Sequence, residues 1–322
     1  TNVMQGWTVR NPNQGIGRGN PTDNTANFCS NHRLRIAVKM GDISKLPPNP
    51  DDIARIVPFY PLTGAELMAH EFGHHWMAAV NFKKEDGVTQ CLLRGMEFNG
   101  ETQPGVDMCN GYPITAYNQH WSFDFNSCSV MYGSCIEDLG NGSFRYFYDG
   151  VKYSQLDQYL MGLRDPEEVD PMFVVYDGDV SGTASLPMQH GASNIVEGKQ
   201  RIDVTIEDII RENGPRIPAR DQCHFKAAFI LVHATGAPPT LDQLNNTDAY
   251  RRRMETYYSW ATDGRGSFDT RLDGCGTGLG LCPGEPSPQC GEPVDGDVTD
   301  GDFVDGDKPC NPGDLNCLSE TT

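Results

Sequence analysis

The sequence predicts an α+β fold: strands and loops around one reactive helix, a helical C-terminal part and an irregular acidic tail. Three observations predict it. Residues 33–40, RLRIAVKM, alternate Leu34, Ile36, Val38 and Met40 with Arg33, Arg35, Ala37 and Lys39, the period-two pattern of a strand with one buried face. Residues 62–80, LTGAELMAHEFGHHWMAAV, begin with Thr63 and Glu66 in T-x-x-E spacing, the signature of a capping box at a helix start. Further Ser/Thr-x-x-Asp/Gln pairs then open the apolar segments of the second half.

In chain order, residues 1–32 are rich in Gly, Asn and Pro and lack periodicity, so they read as loop. The strand 33–40 follows, then a turn at KLPPNPDD. The capped helix is expected to start near Gly64 and to run to about Val80. Residues 83–153 are aromatic-rich and hold Cys91, Cys109, Cys128 and Cys135, suggesting short strands and long loops. Helices are predicted after Ser154 (with Asp157), after Thr205 (with Asp208), over residues 221–236 (DQCHFKAAFILVHATG), and from Thr240 (with Gln243) to about Ala261. Beyond Cys275 the chain becomes Pro-, Gly- and Asp-rich, placing a boundary near residue 280 and a tail at 281–322.

Composition limits what the chain can do. Its 322 residues suffice for a full hydrophobic core, while 35 Gly, 22 Pro and an apolar fraction of 38% favour a loop-rich protein. A net charge of −19 opposes binding to nucleic acid or an anionic membrane surface. Eleven cysteines point to disulfides made in an oxidising compartment, and the odd number leaves one without a partner in the chain. No apolar run is long enough to span a membrane. The start at Thr1, with neither Met nor a signal peptide, is read as a processed mature form, secreted or at the cell surface.

The chemistry concentrates in His70-Glu71-x-x-His74. Histidines four apart on a helix share one face, and two neutral imidazoles there can bind Zn²⁺. Glu71, beside the first, can act as a general base toward water. A third protein ligand is needed. The extended pattern with a helix-breaking Gly and a third His is closed, because Met77 and Val80 stand at those positions. No later Glu has Asp four residues on, so a second-helix Glu has little support. Of the later histidines, His190 has no distinctive neighbours, and His224 and His233 fall in the predicted apolar helix. His120, in NQHWSFDFNSCSVMYG, is the leading candidate, and Asp157, in LDQYLMGL, its rival. A plainer role for Asp157 is helix N3 or support of a ligating His. Tyr159 or Tyr132 could donate a phenolic hydrogen bond to a developing oxyanion.

SVMYG at residues 129–133 is similar to the Met-turn of the metzincin zinc peptidases. More broadly, the chain resembles bacterial secreted zinc-peptidase-like proteins in five pieces: GIGRG at 15–19, the His-Glu-x-x-His with its following Trp at 70–76, HWS at 120–122, SVMYG, and LDQYLMGL at 156–163. The likeness covers roughly residues 10–170. It implies a metzincin-like zincin fold for residues 1–280, a small twisted sheet over the active-site helix, with about forty residues inserted between the first two ligands and the third.

The expectation is a secreted zinc endopeptidase acting on protein or peptide substrates, with Glu71 as base and the 33–40 strand available to pair with extended substrate. The alternative is an extracellular structural or adhesive protein on the same scaffold. Asp-Gly-Asp recurs at 295–297, 300–302 and 305–307, which fits either a solvated spacer for self-assembly or a surface partner, or Ca²⁺ bound through carboxylate and backbone oxygens.

Overall fold

The computed structural model describes residues 4–54, 62–94, 108–109, 112–113, 119–147, 151–176 and 193–271. The expected boundary near residue 280 and the Asp-Gly-Asp tail lie outside these, as does His190. Within them the protein is mixed α+β. Strands β1 (Gln5–Thr8) and β2 (Ile36–Lys39) precede helix α1 (Gly64–Gly73). Strands β3 (Trp121–Asn126), β4 (Tyr132–Gly140) and β5 (Ser143–Phe147) follow, then α2 (Gln155–Met161). Next come β6 (Met172–Tyr176), β7 (Ser193–Val196), β8 (Gln200–Val204), α3 (Ile206–Asn213), β9 (His224–Lys226), α4 (Leu241–Ala261) and β10 (Ser267–Asp269).

The main sheet has six strands in the order β7-β5-β4-β3-β6-β8. All its pairings are antiparallel except β4 with β3, which run parallel with Tyr132 opposite Trp121. Strand β2 pairs antiparallel with β1, so part of the segment expected to be loop is a strand and one edge of β2 is already occupied.

The four helix starts obey local chemistry. At Thr63, Ser154, Thr205 and Thr240 the hydroxyl accepts from the backbone N–H three residues on, and the side chain there returns the bond. Each box satisfies two helix-end groups that would otherwise be unpaired.

Helix α1 is buried along its whole length, not on one face. Its Phe72 makes edge-to-face contacts with Phe225, Tyr258 and Phe268, at centroid distances of 5.2, 5.5 and 4.8 Å. Those rings tie α1 to β9, α4 and β10 and form the centre of the core, each contributing on the order of 2 kcal/mol by burial. A smaller cluster of Ile136, Phe144, Tyr146, Phe173 and Val175 lies on the sheet.

Two further sequence expectations are corrected. Residues 221–236 are not helical: β9 pairs in parallel with β10, and side chains from Cys223 to Lys226 alternate buried and exposed. Helix α1 ends at Gly73 with His74 as its C-cap, well short of Val80. The cause is remote in sequence. The Arg18 guanidinium donates to the carbonyls of His74 and Met77, the latter at 2.7 Å, and so takes up acceptors the helix end leaves open. The Ala78 N–H then bonds to the Gln119 carbonyl at 3.3 Å, turning the chain out of the helix toward a distant segment.

Candidate metal centre

That turn brings His120 to the helix. His70, His74 and His120 form a group whose ligand atoms all lie within 4.8 Å of one another, and which could hold a metal ion. His70 is buried, while the other two are half-buried, so the group is partly accessible to solvent. Among the described residues it is the only such group of His, Cys, Asp and Glu side chains.

Each imidazole is placed by identifiable contacts. His70 Nδ1 lies 2.8 Å from the Val130 carbonyl. A carbonyl only accepts, so Nδ1 carries the proton and Nε2 presents a lone pair. His120 Nε2 faces that lone pair at 3.0 Å. Two ring nitrogens approach so closely to advantage only with a proton or a cation between them. His74 stands edge-on to both rings, at centroid distances of 4.8 Å from His70 and 4.9 Å from His120, and its Nδ1 is buried without a hydrogen bond among the described residues. Burial holds His70 neutral, down to about 3, with the neighbouring His120 adding to the effect and the Val130 bond opposing it. Burial and the nearby His70, His120 and Arg18 likewise hold His74 well below the ordinary value. Neutral imidazoles are the form that ligates metal, so the donor set fits a divalent ion.

Glu71 sits on α1 beside His70, 8% exposed. Burial raises its carboxyl to about 7, against the opposing effect of a hydrogen bond from the Gly6 backbone N–H. Strand β1 makes that bond by close approach: a Cβ on Gly6 would stand 2.0 Å from the Glu71 carbonyl oxygen.

The turn at residues 129–133 packs against these groups. Ser129 and Tyr132 bridge across it, and Tyr132 and Gly133 have φ of 70° and 80°. Met131 is fully buried, its Sδ filling the place where a Cβ on Gly73 would stand. The Tyr132 ring stacks on His120 at 4.4 Å and lies 4.6 Å from His70. A disulfide between Cys128 and Cys135 closes the loop that carries the turn, and Cys29, Cys91 and Cys223 are also disulfide-bonded.

The remaining sequence candidates go elsewhere. Asp157 is fully buried but outside the three-histidine group, its carboxylate bound by Trp121, Ser129 and the Ser154 backbone. Tyr159 is buried too, with its hydroxyl accepting from the Arg216 backbone N–H at 3.1 Å, so Tyr132 is the tyrosine beside the histidines. His224 bonds Ser267 Oγ at 2.7 Å and His233 is exposed, both away from the group. One contributor escaped sequence reasoning: Arg18, which also reaches Gln119 Oε1 at 3.2 Å, next to His120. Its sequence signals are the glycine on either side, Gly17 and Gly19, and its place in the GIGRG segment. A Cβ on Gly17 would stand 2.3 Å from the Ala79 carbonyl oxygen.

No protein-family model matches the chain, and no curated protein or solved structure is detectably similar to it. No helix among the described residues is long and apolar enough to cross a membrane.

Proposed function

We propose that the protein is a secreted, zinc-dependent endopeptidase of metzincin-like kind. One observation carries the reading: three imidazoles from two distant segments converge on the helix that also carries Glu71, whose buried carboxyl is raised to about 7. Three histidines, two of them only half-buried, are a donor set used by catalytic zinc. Zinc held there would supply Lewis-acid chemistry, acidifying water and polarising a peptide carbonyl.

The chain's own groups supply the rest. His70 stays neutral and oriented through its Nδ1 bond to Val130. The Glu71 carboxylate takes the proton from the attacking water and returns it to the leaving amide nitrogen; a group poised near neutrality serves both steps. Tyr132, whose ring stacks on His120, would donate a phenolic hydrogen bond to the developing oxyanion. The disulfides support an extracellular setting.

The test is a peptide-library digest by the zinc-loaded chain and by Glu71→Gln. Cleavage by the parent, with a fall of about 10²–10⁴-fold in the variant at unchanged zinc content, is expected. Stoichiometric zinc with no cleavage by the parent would instead return the structural or adhesive role. A fully active Glu71→Gln would remove Glu71 from the mechanism.

A further inference from the structure

We propose that Asp157 is a positioning residue of the three-histidine centre, holding both the segment that delivers His120 and the turn that orients His70; the inference rests on those histidines binding a metal. Asp157 opens α2 as the third residue of its capping box, taking the Ser154 N–H at 2.7 Å. That role needs one carboxylate oxygen and no burial. The side chain is nevertheless fully buried, and it accepts two further bonds from parts of the chain remote from α2.

Each of those bonds leads to a histidine. Oδ1 accepts from Trp121 Nε1 at 2.7 Å, and Trp121 directly follows His120. Oδ2 accepts from the Ser129 hydroxyl, and Ser129 directly precedes Val130, whose carbonyl fixes the proton of His70 on Nδ1. The Ser129 oxygen in turn accepts from the Met131 N–H at 2.9 Å, and the Trp121 N–H bonds to the Met131 carbonyl at 3.0 Å, closing the frame between the two segments. One carboxylate thus fixes the third imidazole and the tautomer of the first. The matching residue of the α3 box, Asp208, bonds instead to Lys84 and Arg211 side chains at 2.6 and 2.7 Å, far from the histidines. Groups that orient ligands without touching the metal commonly set its affinity.

The experiment measures Co²⁺ binding by chelator competition, together with the visible spectrum of the bound ion, which reports ligand geometry. An amide at 157 keeps the volume but cannot accept on both sides, so one of the three donors loses its partner. Asp157→Asn is expected to weaken Co²⁺ binding by about 10–100-fold and to shift its spectrum. Ser129→Ala, which leaves the carboxylate in place, is expected to weaken binding in the same direction. Asp208→Asn removes an equivalent helix cap and should leave affinity and spectrum at the parent's values.

Parental affinity and spectrum in Asp157→Asn would overturn the proposal. If that variant does not fold, Ser129→Ala and Trp121→Phe decide: weakened binding in either supports the proposal, and parental binding in both overturns it. Weakening in Asp157→Asn alone, with the other two parental, would make the carboxylate a ligand and also overturn it. A parent chain that takes up no Co²⁺ would refute the metal centre itself, an outcome distinct from all of these.

Discussion

Gly6→Ala tests how closely β1 rests on the reactive helix. Gly6 has an ordinary extended backbone, so alanine by itself would be welcome there, stabilising by about 0.4–1 kcal/mol through the unfolded chain. The native surroundings oppose it. The new Cβ would stand 2.0 Å from the Glu71 carbonyl oxygen and 3.0 Å from its carbon, where ordinary contact begins at 3.4 Å. The obstacle is helix backbone, which cannot swing aside like the end of a flexible side chain. Strand β1 must therefore lift by more than an ångström, breaking its fit to α1 and the Gly6 N–H bond to the Glu71 carboxyl. Overpacking of this kind costs about 1–3 kcal/mol, and the lost hydrogen bond adds to it, so the net expectation is a destabilisation of about 2 kcal/mol. Urea unfolding followed by tryptophan fluorescence reads it directly, since Trp76 and Trp121 are fully buried. A variant as stable as its parent, or more stable, would refute the close seating of β1.

Three other outcomes are expected. The metal-free protein should lose stability as pH falls from about 6.5, because His70 and His75 are held by burial down to about 3 and His74 well below its usual value. The unfolded chain protonates there and the folded one does not, at about 1.4 kcal/mol per pH unit for each group. Glu71 acts in the opposite sense: its raised value, about 7, adds a proton to the folded state and offsets one histidine. Net proton uptake on unfolding should therefore grow as pH falls from about 6.5, reaching about two protons near pH 5 and about one more in Glu71→Gln, and a flat profile would contradict the assignment. Replacing Cys128 and Cys135 by Ser opens a bridge whose ends are 7 apart in sequence, with an expected loss of about 2–3 kcal/mol in denaturant titration. His120→Ala should keep the fold by circular dichroism and lower zinc affinity by orders of magnitude in dialysis; unchanged affinity would exclude His120 as a ligand.

What sequence could tell followed the range of the forces involved. The four capped helix starts were legible because Thr63, Ser154, Thr205 and Thr240 bond only three residues ahead. The end of α1 was not, because it is set by Arg18 and by Gln119. Residues 221–236 misled because Phe229, Ile230, Leu231 and Val232 are apolar on both faces and hide the two-residue alternation visible in Cys223–Lys226. At the site, His70, Glu71 and His74 stood out as a local motif, whereas His120 and Asp157 remained rivals for the third ligand. Their separation depends on Trp121 and Ser129 occupying the Asp157 carboxylate, a contact between segments about 30 residues apart.

Whether these three imidazoles bind one catalytic metal is read from the zinc X-ray absorption spectrum of the stoichiometrically loaded chain. One zinc per chain is expected, with three imidazole nitrogens at about 2.0–2.1 Å and a non-protein ligand completing the shell. A sphere containing a fourth protein ligand, or no stoichiometric zinc at all, would contradict it.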